Sequence, residues 1–311
     1  MDLVGDVLRV SGVRGSLGVR IEAGGSWSVL LDDYPGAALH AVVAGGAWLT
    51  VAGGEPLELT AGDVVLLSAG TRHGLSSAPD AEARPCDPAE AARVRSIGEA
   101  LRLGSPPART RIVTIHYDCD HAAGTQVLNE LPDLLHVGAD AGAAGFDDTV
   151  RLLGRELAHP QIATTAVLNS LVDIMLIQLM RAWLPTRPAD RRGTWLGVLD
   201  DPIVREALEQ IHADPGRSWT TATLASAIAV SRATLSRRFP AAIGQSPGAY
   251  LTRWRMDLAA ARLRDTRDPV EAVAAAVGYN SVPAFSRAFV RARGQTPGRY
   301  RASRDRHQTS P

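Results

Sequence analysis

The 311-residue sequence contains no lysine and only two cysteines, Cys86 and Cys119. Two thiols are too few for a disulfide framework, so in a reducing compartment they are free by default. The missing lysines reflect codon usage more than function, and all the fixed positive charge falls to arginine. Also lacking are an N-terminal cationic stretch leading into an apolar core and any uninterrupted apolar run of about 18 residues. These absences predict a cytoplasmic protein with no membrane partner. With 45% apolar residues, the chain has enough hydrophobic side chains to exclude disorder over most of its length.

What is present is unevenly distributed. Residues 1 to 199 carry 16 arginines against 23 carboxylates, and residues 200 to 311 carry 17 against 10, so a −7 half is joined to a +7 half. A zero overall charge hides a C-terminal half suited to a polyanion, because clustered cations supply sequence-independent phosphate contacts. A solvated charged face would give the same count.

From Trp27 to about Leu75, short apolar runs (Trp27 to Leu31, Ala38 to Val43, Ala47 to Val51, Val64 to Leu67) alternate with turn chemistry at Pro35-Gly36, Gly45-Gly46, Gly53-Gly54 and Gly62-Asp63. That pattern predicts an antiparallel sandwich or small barrel, with a further strand from Arg111 to Asp118. Between Leu128 and Trp183 the period becomes helical, through Leu168, Leu171, Val172, Met175, Leu176 and Leu179. The charged, Pro- and Gly-bearing stretch near 185–200 reads as a linker, leaving domains over 1–184 and 201–305.

The basic half repeats itself at an offset of 50 residues. Ser231 matches Ser281, and the copies then run in parallel through Leu235 and Phe285, Arg237 and Arg287, Phe239 and Phe289, and Gly244-Gln245-Ser246-Pro247 and Gly294-Gln295-Thr296-Pro297. Each copy has a short Ala-rich helix, a turn, a helix capped by serine and a Gly-x-[Ser/Thr]-Pro stop, which is helix-turn-helix grammar over about 221–243 and 270–293. Leu235 and Phe239, like Phe285 and Phe289, sit four residues apart and must face the core. The opposite face then presents Ala233, Thr234, Ser236 and Arg237 in the first copy and Pro283, Ala284, Ser286 and Arg287 in the second. Ser231 and Ser281 lie at the helix starts, with Arg232, Arg238 and Arg291 at the edges. Small and polar groups beside an arginine suit major-groove entry, where arginine bonds guanine bidentately and flanking cations hold phosphates. A lone arginine is more often a solvated surface charge, but equivalent placement in two repeats argues for readout of double-stranded DNA.

Over residues 201 to 303 the sequence resembles the AraC/XylS family of transcription regulators, through Leu224-Ala225, Arg237-Arg238-Phe239, Trp254-Arg255-Met256, Val277-Gly278-Tyr279, Phe285-Ser286-Arg287-Ala288-Phe289 and Thr296-Pro297-Gly298. Pro240 departs from the pattern and would kink or end the first recognition helix early. Gly62 to His73 resembles the second cupin motif, with Ser68 where proline is usual; of the first motif only His40 stands in place. These resemblances imply an α+β protein: an N-terminal cupin-like β-barrel with flanking helices that senses a small molecule or oxidant and dimerises, and an all-α C-terminal domain with two helix-turn-helix units. Promoter DNA and RNA polymerase are the implied macromolecular partners, with activation the commoner outcome.

Candidate ligand or redox residues in the sensor half are His40, His73, Cys86, His116 and Cys119. A catalytic cupin needs about three ligands around an open metal position, and only His40 and His73 qualify, so no catalytic residue, metal or cofactor is assigned. His73 reads as a turn-capping or pocket histidine. On a strand His116 and Cys119 point to opposite faces, which argues against joint ligation. The competing readings are a cupin metalloenzyme carrying an accessory DNA-binding module and an architectural DNA binder. The apolar helix from Thr164 to Trp183 is a candidate dimer seam.

Overall fold

Buried runs punctuated by left-handed glycines set the strands of the first half. A computed structural model describes residues 2–31, 34–82, 84–118, 128, 131–139, 146–184, 198 and 200–308. Its strands are β1 (Arg14–Gly24), β2 (Ser28–Leu31), β3 (Ala37–Ala44), β4 (Gly46–Val51), β5 (Leu57–Thr60), β6 (Val64–Leu67), β7 (His73–Ser76), β8 (Ala100–Gly104), β9 (Thr110–Asp118) and β10 (Leu134–Val137). The helices of this half are α2 (Pro88–Ser96), α3 (Phe146–Ala158) and α4 (Thr164–Trp183). One compact unit takes in Arg14–Asp118 with Leu131–Arg187; a second takes in Met1–Val13 and Pro188–Pro311.

The strands make a six-stranded sheet in the order β10-β6-β3-β9-β1-β8 and a four-stranded sheet in the order β2-β7-β4-β5. Among these strands, β1 and β8 pair in parallel and the other pairings are antiparallel. Ile21, Val42, Val65, Leu67 and Ile112 from the first sheet meet Val29, Leu49, Leu59 and Leu75 from the second in one core. The two sheets therefore face each other as a cupin-like sandwich, and no hydrogen-bonded closure into a barrel is present among the described residues. The sequence pattern finds β2, β3, β4, β6, β9 and α4; it misses the long β1, where Gly15 and Gly18 interrupt the apolar rhythm. The outer face of the six-stranded sheet is covered by α3 and α4, and Tyr117 on β9 donates from its hydroxyl to the Val172 carbonyl at 2.6 Å. By length and composition α4 meets the criterion for a membrane span, but its Leu168, Leu171, Val172, Met175, Leu176 and Leu179 are buried within this unit.

The second unit contains α1 (Leu3–Ser11), α5 (Pro202–Ala213), α6 (Thr221–Ala227), α7 (Arg232–Ile243), α8 (Pro247–Asp265), α9 (Val270–Ala276), α10 (Val282–Arg293) and α11 (Pro297–Gln308). Helix α8 joins the two helix-turn-helix pairs. Around it Phe239 and Tyr250 meet edge-on, while Phe285, Phe289 and Tyr300 form the second core with Met256 and Leu263. Helix α1 buries Leu3, Val7 and Val10 and packs on α5 and α8. Its last carbonyls, of Arg9 and Val10, accept from the Arg264 guanidinium at 3.0 and 3.4 Å. Beneath it the His212 ring stacks on Trp254 at 3.8 Å and bonds the Tyr250 hydroxyl at 2.8 Å. Burial holds the His212 pKa down to about 4. The expected linker falls largely on residues outside the described ones.

Candidate nucleic-acid interface and sensor cavity

Two serines start the paired helices α7 and α10. Ser231 Oγ accepts from the Thr234 amide at 3.0 Å and Ser281 Oγ from the Ala284 amide at 3.4 Å, each satisfying an otherwise orphaned helix N–H. Leu235, Phe239, Phe285 and Phe289 are fully buried, which fixes what points outward. On α7 Arg232, Ala233, Ser236 and Arg237 are exposed and Thr234 and Arg238 half-buried; on α10 Pro283, Arg287 and Arg291 are exposed and Ala284 and Ser286 half-buried. Arg237 and Arg287 thus occupy equivalent outward positions. Pro240 does not end α7, which runs on to Ile243 and stops at the left-handed Gly244. The turn before α7 carries Ala229 at φ 54° where the turn before α10 carries Gly278 at φ 81°.

The cavity of the sheet unit follows from strand register. His40 on β3 pairs with Thr114 on β9, and Ala38 pairs with His116. Strand alternation puts all four side chains on the face that also carries Val42 and Ile112, toward the second sheet. From that second sheet comes His73. His40 Nδ1 lies 3.0 Å from Thr114 Oγ1, His40 Nε2 lies 2.8 Å from His73 Nε2, and His73 Nδ1 lies 2.7 Å from the Thr71 carbonyl oxygen. A carbonyl only accepts, so His73 Nδ1 carries the proton and its Nε2 accepts from His40 Nε2–H. That leaves His40 Nδ1 to accept from the Thr114 hydroxyl. Burial together with the neighbouring imidazoles holds His40 well below the ordinary histidine range. His116 stacks on Tyr34 at 3.8 Å, with Tyr34 donating to Asp118 at 2.8 Å. Burial and the Arg95 charge bring His116 down to about 4. These groups line a cavity of about 510 Å³ with Val19, Ile21, Leu30 and Leu101.

Known proteins resolve what these halves are. A family profile described as Cupin matches residues 2–185, and one described as Helix-turn-helix domain matches residues 224–303. An AraC-like transcription regulator of Streptomyces antibioticus is 39% identical over 97% of this chain and 98% of its own. One from Streptomyces lividans is 38% identical over the full length of both. The chain belongs to the AraC-like transcription regulators. Among solved structures, the DNA-binding domain of AdpA in complex with a target DNA is 29% identical over 34% of this chain and 97% of that one, with a TM-score of 0.33.

In this regulator the residues singled out from sequence divide by their surroundings. Arg238 is not free at the outer edge of α7: its Nε bonds Asp201 Oδ2 at 2.9 Å. The fold joins His40, His73 and His116 at one cavity and places Cys86 on its wall. The Cys86 thiol is pushed up by burial and by the carboxylates of Asp87 and Glu90, the reverse of what a reactive thiolate needs. Cys119 lies outside the described residues. Two imidazoles on one tetrahedral zinc, at Zn–N about 2.0–2.1 Å, stand roughly 3.3 Å apart with both lone pairs aimed at the ion. Here the two Nε2 atoms lie 2.8 Å apart, closer than that separation, so the pair as arranged does not fit a metal. Among the described residues no group of three or more His, Cys, Asp or Glu is placed to hold one.

Sequence reasoning passes over Arg95, Thr114 and Tyr34 as cavity residues. Arg95 lies on α2, which Asp87 caps by accepting from the Ala89 amide ahead of Pro88 in the first turn. That Asp-Pro start is a legible signal. Thr114 is legible only once β3 and β9 are paired.

Proposed function

We propose that this regulator is a cytoplasmic, non-enzymatic protein that reads promoter DNA with α7 and α10 and holds a small-molecule signal in the His40–His73–His116 cavity. The observation that carries DNA readout is the equivalent outward placement of Arg237 and Arg287 on serine-capped helices whose inner faces are fully buried. Small neighbours, Ala233 and Ser236 beside the first and Pro283 beside the second, leave room for each guanidinium to reach a base edge. Arg232 and Arg291 flank them as phosphate contacts. Arg238, committed to Asp201, acts through the fold. Occupancy of the cavity regulates transcription only through a difference in affinity between two states of the protein, and activation through RNA polymerase is the expected output. Of the two signals considered, a bound small molecule is favoured over an oxidant, because Cys86 sits among carboxylates that disfavour its thiolate.

Dimerisation is assigned to α4. Its exposed Val167, Ser170, Ile174 and Ile177 recur at the 3-4-3 spacing of a helix–helix seam. Val167, Ile174 and Ile177 are 37%, 42% and 39% exposed, apolar area that a second copy of the chain would cover. The deciding experiment is a footprint upstream of the protein's own gene. Protection over about two helical turns per protomer, weakened by Arg237→Ala and by Arg287→Ala, supports paired readout; protection indifferent to both substitutions refutes it.

A further inference from the structure

Building on the reading of the sheet unit as a sensor, we propose that its cavity takes an organic monocarboxylate, with the apolar body against Val19, Ile21, Leu30 and Leu101 and the carboxylate at Arg95. The cavity volume of about 510 Å³ falls in the ordinary range for small-molecule sites, roughly 300–1,000 Å³. Its lining has one sign of charge: Arg72 and Arg95 are the ionic side chains, and no Asp or Glu is among the described lining residues. The hollow beside it differs. That space, about 470 Å³, is lined by Glu82, Asp87 and Glu90 together with Arg84 and Arg102, a mixed set that selects no anion.

Arg95 is the natural partner of the acid. It stands in the last turn of α2 with no carboxylate bonded to its guanidinium among the described residues. Asp118, whose charge acts on His116 at this end of the cavity, is engaged by the Tyr34 hydroxyl at 2.8 Å. Beside Arg95 the stacked Tyr34–His116 pair offers a flat wall and an imidazole that is neutral at ordinary pH. The His40–His73–Thr114 chain is hydrogen-bonded along its length and closes the floor.

Other ligand chemistries fit less well. A sugar would press unpaired hydroxyls against the Val19, Ile21, Leu30 and Leu101 side chains, which costs the desolvation of each. A neutral hydrocarbon would fill the apolar end and leave the exposed Arg95 guanidinium to water, drawing no binding energy from it. An acid with an apolar body satisfies both ends, and a guanidinium–carboxylate bond in a partly enclosed site is among the stronger ones available.

The test is calorimetric titration of the full-length protein at pH 7.5 with octanoate and with 1-octanol, in the wild type, Arg95→Gln and Arg95→Lys, each first checked for an unchanged Tm. Octanoate should bind more tightly than octanol. Arg95→Gln should weaken octanoate by about tenfold or more, the scale of losing one charge-assisted bond, leave octanol unaffected, and be partly rescued by Arg95→Lys. The His116 ring should titrate at higher pH with octanoate bound, because the acid offsets the Arg95 charge. Equal affinity for acid and alcohol, an Arg95→Gln variant that binds octanoate like wild type, or failure of every straight-chain acid from butanoate to dodecanoate and of naphthoate would each overturn the assignment. A footprint run alongside separates the two readings. Arg95-dependent binding without any change in the footprint keeps the carboxylate site and removes the sensor role; an intact footprint with no acid bound removes the carboxylate site and leaves only the DNA-reading role standing.

Discussion

The Nε atom of Arg238 on α7 lies 2.9 Å from Oδ2 of Asp201, while the residue fifty positions on, Ala288, is a buried alanine. Asp201 also caps α5, accepting from the Ile203 and Val204 amides at 3.0 and 3.2 Å. Helices α7 and α10 are therefore not equivalent at this position: the first is tied to α5 by an ion pair. We predict that Arg238→Ala lowers stability by no more than about 1 kcal/mol, the pair being partly exposed. Arg237→Ala should leave the Tm unchanged and cost about 1–3 kcal/mol of operator affinity. Melts and gel-shift titrations of both variants check this; an Arg238→Ala protein with native Tm and lost sequence preference would contradict it.

Asp257 on α8 and Arg293 at the end of α10 form an ion pair whose side chains are 1% and 2% exposed. Removing one partner takes the opposite charge away from a buried one. Asp257→Ala is expected to destabilise the helical unit by about 3–5 kcal/mol, whereas replacing both residues by apolar ones of similar volume should recover most of the loss. Denaturant unfolding of the single and double variants measures the difference, and an additive double variant would speak against the pair.

The two turns predict opposite responses to glycine and alanine. Ala229 holds φ 54°, a conformation that costs an L-residue about 1–2 kcal/mol. After allowing for the freedom glycine gains in the unfolded chain, Ala229→Gly should stabilise by up to about 1 kcal/mol. At Gly278 a Cβ would lie 2.7 Å from the Gly216 carbonyl oxygen and 2.8 Å from Arg255, so Gly278→Ala should cost about 2 kcal/mol or more. Thermal unfolding of both variants tests the contrast.

Acid should weaken both units. His40, His116 and His212 are all held below the ordinary histidine value of 6.5, His116 and His212 at about 4, with burial the largest cause in each. The unfolded chain therefore takes up these protons first. Stability is full above about pH 6.5 and declines as pH falls from there toward the folded values, by at most about 1.4 kcal/mol per pH unit for each group. Melts of the full chain between pH 7.5 and 5 should show a Tm that is level down to about pH 6.5 and falls below it, and a flat profile throughout would mean that these rings are not desolvated as described.

On α4, Ile174→Glu with Ile177→Glu places two charges on the exposed seam without touching buried Met175, Leu176 or Leu179. Light scattering should give a dimer for the wild type and a monomer of unchanged fold for the variant. A monomeric wild type at micromolar concentration would remove the seam from consideration.

Local patterning carried the helical half. Ser231 and Ser281 as caps, the Leu235/Phe239 and Phe285/Phe289 spacings and the Gly244 and Gly294 stops are short-range features, and short-range sequence specifies them because backbone capping and the 3.6-residue period act within one or two turns. The sheet half was legible in part. Continuous apolar runs at β3, β6 and β9 announced strands, but β1, with glycines at 15 and 18, and the helix α1 ahead of it did not fit a single period. Pro240 looked like a break and is not one, because α7 continues through it to Ile243.

By itself, then, the sequence determined the duplicated helix-turn-helix units, the segregation of charge and the identity of the outward arginines, all of which depend on residues a few positions apart. Tertiary structure alone decided that Arg238 is claimed by Asp201, that α1 packs against α5 and α8, and that His40, His73, Thr114 and His116 converge on a cavity with Arg95 at its edge. The reason is physical. Those contacts join residues 33 to 255 positions apart, and whether such groups meet depends on strand register and helix packing, which no local pattern of side chains encodes.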